Sequence, residues 1–249
     1  MMTDAERYHS FNSVKQSTNT LVSQWQKRWL TGFKYDASTI EFFPPKPFIN
    51  LSSMQKAALL KNIRYVHHAV LASVFQMTPE NKKAPFDVVD NLILEQLNHY
   101  NRKLGLCIYA SALLYCLLRE EFALDNKHLK YVQGFARTKP SKNYKLPSTG
   151  EGSDLMHTLH AFVLYQNSVI DTSTIQLEKY LDFSLKPPFV LGKQGYKEET
   201  FTYHGFKEYP QTPLKYAKNF AEEVGMTYKE WITHHQTQAK IFSQVKIHQ

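Results

Sequence analysis

Apolar positions recur with a helical period through the first half of this chain and again at its end, with a strand period between. Leu21, Trp25 and Trp29 stand at helical spacing in an otherwise polar start. The segment Glu41-Phe42-Phe43-Pro44-Pro45-Lys46-Pro47 then breaks the pattern. Each proline fixes its own φ and disfavours helix in the residue before it, so a stiff extended stretch is expected. Ser52 or Ser53 is positioned to cap a helix running through Met54 to about Gln76. Another helix is expected from Phe86 to Tyr100, with Val88, Val89, Leu92, Leu94 and Leu97 apolar. The strongest helical signal covers Leu106 to Phe122, where Leu106, Tyr109, Ala112, Leu113, Cys116 and Leu117 keep the i, i+3, i+4 pattern.

Beyond this helix the period changes. Leu129 to Ala136 and Leu159 to Tyr165 read as strands, and Val169 to Thr172 as a short partner. Between the first two lies Thr138 to Met156, a polar connection long enough to be functional or mobile. Helices are expected again at Pro213 to Val224 and Thr227 to Val245, separated by Gly225. The order predicts one α+β domain over 1–249. It would have a helical part at 1–100, a core at 101–175 and a mostly helical extension at 176–249.

Composition narrows the function. With 43% hydrophobic and 21% charged residues, the chain has ordinary globular usage and enough length for a sizeable core. Its formal net charge is +8, yet the lysines and arginines are dispersed rather than concentrated on one element. That argues against nucleic-acid binding and for an acidic substrate or partner protein. No apolar stretch approaches the length needed to span a membrane. Nine glycines are too few for a phosphate-cradling loop, and no dinucleotide or P-loop pattern occurs, so no cofactor is expected.

The two cysteines, Cys107 and Cys116, fall on one expected helix. At ~1.5 Å rise per residue they sit ~13 Å apart along the axis, beyond disulfide reach. Unpaired thiols fit a reducing compartment. The start Met1-Met2-Thr3-Asp4-Ala5-Glu6-Arg7 lacks the apolar segment of a secretory signal, so a cytoplasmic location is expected.

Gly105-Leu106-Cys107 places a cysteine where the helix begins. Unsatisfied N–H groups and the positive end of the helix dipole favour thiolate over thiol there. The same N–H groups can face the oxyanion of a tetrahedral intermediate. A small buried cysteine is the competing interpretation, and position alone leaves both open. Cys116, mid-helix among leucines, reads as core.

A thiolate nucleophile needs a base, and the base an orienting group. His160 opens the strand His160-Ala161-Phe162-Val163-Leu164-Tyr165. A two-residue turn at Gln166-Asn167 would pair Tyr165 with Ser168 and Phe162 with Asp171. Asp171 would then lie diagonal to His160 on the same face, within side-chain reach. Shifting the turn to Tyr165-Gln166 would set the two directly opposite, and a three-residue turn would separate them.

The order Cys, strand, His, short hairpin, Asp resembles the transglutaminase-like branch of the papain-like cysteine enzymes. The resemblance covers residues 101–175. It rests on Gly105-Leu106-Cys107, Ala110, Ala112, Leu117-Leu118-Arg119, Tyr131-Val132-Gln133-Gly134-Phe135, His160-Ala161-Phe162 and Val169-Ile170-Asp171-Thr172. Phe162 stands where that family has tryptophan. The resemblance implies a nucleophile helix packed on a small antiparallel sheet, with Cys107 as nucleophile, His160 as general base and acid, and Asp171 as orienter. It also implies an amide side chain six residues before the nucleophile as oxyanion donor, a position held by Asn101, with Gln133 and Asn98 as weaker candidates. Calcium sites of animal transglutaminases are not visible, and no metal is expected. His157 and His160 would face opposite sides of a strand, while His67-His68 and His234-His235 diverge on helices.

The expected activity is cysteine-dependent hydrolysis of a peptide or side-chain amide through an acyl-enzyme. Acyl transfer to an amine, as in transglutaminases and arylamine acetyltransferases, is the alternative enzyme reading. A catalytically inactive binding module of the same fold is the alternative from another class. Lys139, Lys142 and Lys145 in the long loop are candidates for facing an acidic peptide or protein substrate.

Overall fold

The computed structural model describes residues 41–43, 46–75, 86–102, 105–122, 127–138, 156–175, 189–192, 201–208 and 212–245. All of these lie in one compact unit, Glu41–Gln249. The helical spacing at Leu21, Trp25 and Trp29, and the loop carrying Lys139, Lys142 and Lys145, lie outside the described residues.

Helix α1 spans Ser53–Val74. Ser52 caps it: its hydroxyl accepts from the Gln55 N–H at 3.1 Å, and the Gln55 side chain accepts from the Ser52 N–H at 3.0 Å. This reciprocal box satisfies two of the donors that every helix start leaves open. The buried stripe Leu59, Ile63, Val66 and Val70 follows the helical period.

The single helix expected from Phe86 to Tyr100 is instead a 3₁₀ turn, Phe86–Val88, followed by α2, Asn91–Arg102. The division comes from Asp90, whose carboxylate accepts from the Leu92 N–H at 2.8 Å. Its carbonyl takes the Leu94 N–H, so Asp90 starts a new helix rather than continuing an old one. Helix α3, Leu106–Phe122, is buried on nearly all sides through Leu118, as its run of leucines, alanines and tyrosines requires.

The strands are β1, Glu41–Phe43; β2, Leu129–Thr138; β3, Met156–Tyr165; β4, Ser168–Asp171; β5, Val190–Leu191; and β6, Phe201–Glu208. They form one sheet in the order β1-β6-β2-β3-β4-β5, with every neighbouring pair antiparallel. The arrangement is α+β. The mostly helical extension expected at 176–249 needs correction, because β6 runs through the sheet between β1 and β2. Phe201-Thr202-Tyr203-His204-Gly205-Phe206 is rich in aromatic residues and suits a pleated, half-buried surface better than a helix. Glu41–Phe43, placed within the proline-rich breaker, pairs with β6 just before the prolines begin.

Helix α4, Thr212–Glu223, ends where Gly225 adopts φ 71°, a left-handed conformation that costs glycine little. Helix α5, Tyr228–Gln244, starts on a second capping box, between Thr227 and Glu230. The helices bury one cluster against the sheet, centred on α3 and including Tyr65, Tyr109, Trp231 and Phe242. A smaller cluster on the sheet gathers Val132, Ala136, Phe162, Leu164, Val169, Val190 and Tyr203. Among the described residues no helix is long and apolar enough to cross a membrane.

Candidate active site

The β3–β4 turn is made by Gln166 and Asn167, with φ 51° and 58°. Two consecutive left-handed residues suit a two-residue hairpin, because their twist matches that of the flanking strands. The resulting register pairs Tyr165 with Ser168 and Val163 with Ile170. Continued by one pair, it sets Phe162 opposite Asp171 and leaves His160 diagonal to the carboxylate. The imidazole closes that gap: His160 Nε2 lies 2.6 Å from Asp171 Oδ2.

Both groups are fully inside the protein, so the carboxylate must find all its partners there. It does. Oδ2 also accepts from the Tyr203 hydroxyl at 2.8 Å, while Oδ1 accepts from the Ser173 N–H at 2.8 Å and the Ser173 hydroxyl at 2.9 Å. Burial alone would raise the Asp171 pKa, but the His160 charge and these hydrogen bonds hold it below the usual carboxylate value. For His160, burial pulls downward, and the charge and hydrogen bond of Asp171 outweigh it with help from Cys107. The imidazole therefore holds a proton well above its ordinary range.

Cys107 occupies the first turn of α3 and retains 6% exposure, against 3% for His160 and none for Asp171. The Cys107 thiol is near enough to His160 for its charge to add to the rise of the imidazole pKa. Since Nε2 is engaged by Asp171, the ring nitrogen left for the sulfur is Nδ1, which has no hydrogen-bond partner among the described residues. At the helix start, the Gly105 carbonyl takes the N–H groups of Ile108 and Tyr109. Those of Leu106 and Cys107 precede the first such bond, as the opening turn of a helix leaves them. Gly105 packs tightly, since a Cβ there would come within 3.1 Å of the Tyr100 ring.

The other expected residues fall as follows. Asn101 lies in the last turn of α2, and its amide nitrogen donates to the Ser73 carbonyl of α1 at 3.4 Å. It ties two helices together there. Cys116 is buried, and burial pushes its thiol up to about 12. Among the described residues no group of three or more metal-ligating side chains could hold an ion.

Sequence reasoning missed Tyr203 and Ser173. Ser173 was findable, because a short hydroxyl two residues after an aspartate is a familiar local partner for its carboxylate. Tyr203 was hidden with the strand that carries it.

Three further histidines bear on pH. Burial pushes His67 and His68 down to about 4 and His235 to about 3. In the unfolded chain each takes up a proton near pH 6.5. Between that value and about 4 the unfolded state binds more protons, so stability falls as the solution is acidified. His160 works in the other direction: its contribution is full below about pH 6.5 and fades as pH rises through its elevated folded value. Stability is thus expected to peak near neutrality. Urea titrations at pH 7 and pH 5 should show a loss on the order of several kcal/mol at the lower pH. An unchanged midpoint would mean that these histidines are not buried neutral.

No protein-family model, curated protein or solved structure matches this chain.

Proposed function

We propose that this protein is a cysteine-dependent amide hydrolase of papain-like, transglutaminase-type architecture, acting through an acyl-enzyme on Cys107. The observation that supports the reading is the imidazole of His160, which feels the charge of Cys107 and whose Nε2 is locked on a buried, fully hydrogen-bonded aspartate.

The Cys107 thiolate attacks the carbonyl carbon of an amide, forming a C–S bond and pushing the carbonyl electrons onto oxygen. N–H groups at the α3 start stabilise that oxyanion. When the tetrahedral intermediate collapses, the C–N bond breaks and His160 gives its Nδ1 proton to the departing amine. His160 then takes a proton from water as the water oxygen bonds to the acyl carbon of the thioester; the C–S bond breaks, the carboxylic acid leaves, and the Cys107 sulfur is restored. Asp171 keeps the other ring proton on Nε2, so that Nδ1 is always the working nitrogen. The substrate is a peptide or protein amide.

Iodoacetamide labelling at pH 7, read by peptide mass spectrometry, tests the premise. Cys116 serves as internal reference, since its thiol is buried and titrates at about 12. Cys107, which keeps 6% exposure at the helix start where Cys116 has none, is expected to be modified on the order of 10²-fold faster. Equal sluggishness of the two thiols would favour a non-catalytic binding module instead.

A further inference from the structure

His67 and His68 are neighbours on α1 whose side chains diverge, as adjacent helical positions must. The His68 ring meets Phe242 of α5, with centroids 4.9 Å apart. The His67 ring turns inward to Phe189, edge-on at 5.5 Å, and keeps only 3% exposure. Its Nδ1 lies 3.2 Å from the carbonyl oxygen of Thr172, the residue after Asp171. A carbonyl can only accept, so Nδ1 carries the hydrogen in that bond. Burial pushes the His67 pKa down to about 4, so at neutral pH this is the ring's one N–H hydrogen. Nε2 is left as a bare acceptor with no partner among the described residues.

The Thr172 carbonyl shares a peptide unit with the Ser173 N–H, and the two point opposite ways within one plane. On the far side, that N–H donates to Asp171 Oδ1 at 2.8 Å, while Oδ2 stands 2.6 Å from His160 Nε2. A chain of hydrogen bonds therefore runs from α1 through one peptide and one carboxylate to the His160 imidazole. Thr172 and Ser173 are buried, so water offers no substitute at either end of the peptide. In such a low-dielectric setting, hydrogen bonds in series polarise one another, and a donor on the carbonyl makes the N–H a better donor in turn. The same bond pins the peptide around which the Asp171 side chain folds back.

We infer that His67 is a positioning residue for the Cys107 chemistry, its Nδ1–H acting through the Thr172–Ser173 peptide to hold Asp171 on His160. The inference rests on the acyl-enzyme reading above. His67 acts through the carboxylate and not on the reacting atoms. A neutral donor suits that role, because a cation in its place would compete with His160 for the charge of Asp171.

The pH dependence of iodoacetamide alkylation at Cys107, followed from about pH 5 to 9, tests the role. The rate follows the thiolate, which a protonated His160 stabilises. His67→Phe keeps a ring against Phe189 and loses the donor. The midpoint of its profile is expected to move up by roughly half a unit to one unit, the contribution of one neutral hydrogen bond at one unit per tenfold. His67→Asn shrinks the side chain but keeps an N–H on an atom bonded to Cγ, as Nδ1 is, and should return the midpoint most of the way to wild type. A packing role predicts the reverse order, with His67→Phe nearest wild type. That order, or a His67→Phe profile superimposable on wild type, overturns the assignment. Should His67→Phe fail to fold, His67→Leu takes its place in the same comparison. His160→Gln, run alongside, separates the two claims. If it shifts the Cys107 profile while the His67 variants do not, only the role of His67 falls. If it leaves the profile unchanged, the pairing of sulfur and imidazole is rejected, and this inference with it.

Discussion

Replacing Asp171 by alanine should lower the unfolding free energy by about 3–5 kcal/mol, the range for breaking a buried ion pair on one side. The size follows from what is left behind. His160 Nε2, the Tyr203 hydroxyl, and the Ser173 N–H and hydroxyl would all lose their acceptor in a place with little access to water. Without the carboxylate, the burial that lowers the His160 pKa would act with little opposition, and the ring would shed its proton. Asp171→Asn should cost less, because one oxygen still accepts and a hydroxyl can turn to receive a proton from the new amide. Tyr203→Phe should cost about 1–3 kcal/mol, leaving Oδ2 with His160 alone. Urea unfolding at pH 7 across the three variants tests the order. A loss under about 1 kcal/mol for Asp171→Ala would show that the carboxylate is not held as described.

The second large effect concerns reactivity. His160→Gln should slow iodoacetamide modification of Cys107 at pH 7 on the order of 10²-fold, the lower end of what a positioned proton-transfer group contributes. Glutamine keeps a polar group beside Asp171 but cannot hold the sulfur's proton. Cys116, remote in role and buried, should react as slowly as before. The Asp171→Asn variant adds a check, since it retains the imidazole but weakens its grip on a proton. Its Cys107 rate should fall between wild type and His160→Gln. If His160→Gln left the rate unchanged, the helix start alone would account for the thiol's behaviour, and the proposed role of the imidazole would be lost.

Much of the cysteine, histidine and aspartate arrangement could be read along the chain because it is written in local terms. Gly105-Leu106-Cys107 announces a helix start, and Gln166-Asn167 fits a two-residue turn of the observed type. With a strand period of two, that turn alone brings His160 and Asp171 to the same face. The lower part of the fold was legible for the same reason: Ser52 with Gln55 is a sequence-local box. Asp90 shows where such reading slips. Its flanks are apolar enough to suggest an unbroken helix, yet its side chain competes for the Leu92 N–H and restarts the helix.

The sequence by itself determined the helices that start at Ser53 and Leu106, the three strands from Leu129 to Asp171, and the order in which thiol, imidazole and carboxylate follow one another, because periods, caps and tight turns depend on near neighbours. Only the tertiary structure decided that Phe201–Glu208 enters the sheet beside β2, bringing Tyr203 onto Asp171, and that Gln133 reaches the Tyr131 hydroxyl. Those are pairings between distant segments and rotamers within a packed interior. They are fixed by which buried polar atoms can satisfy one another, and no local pattern records that.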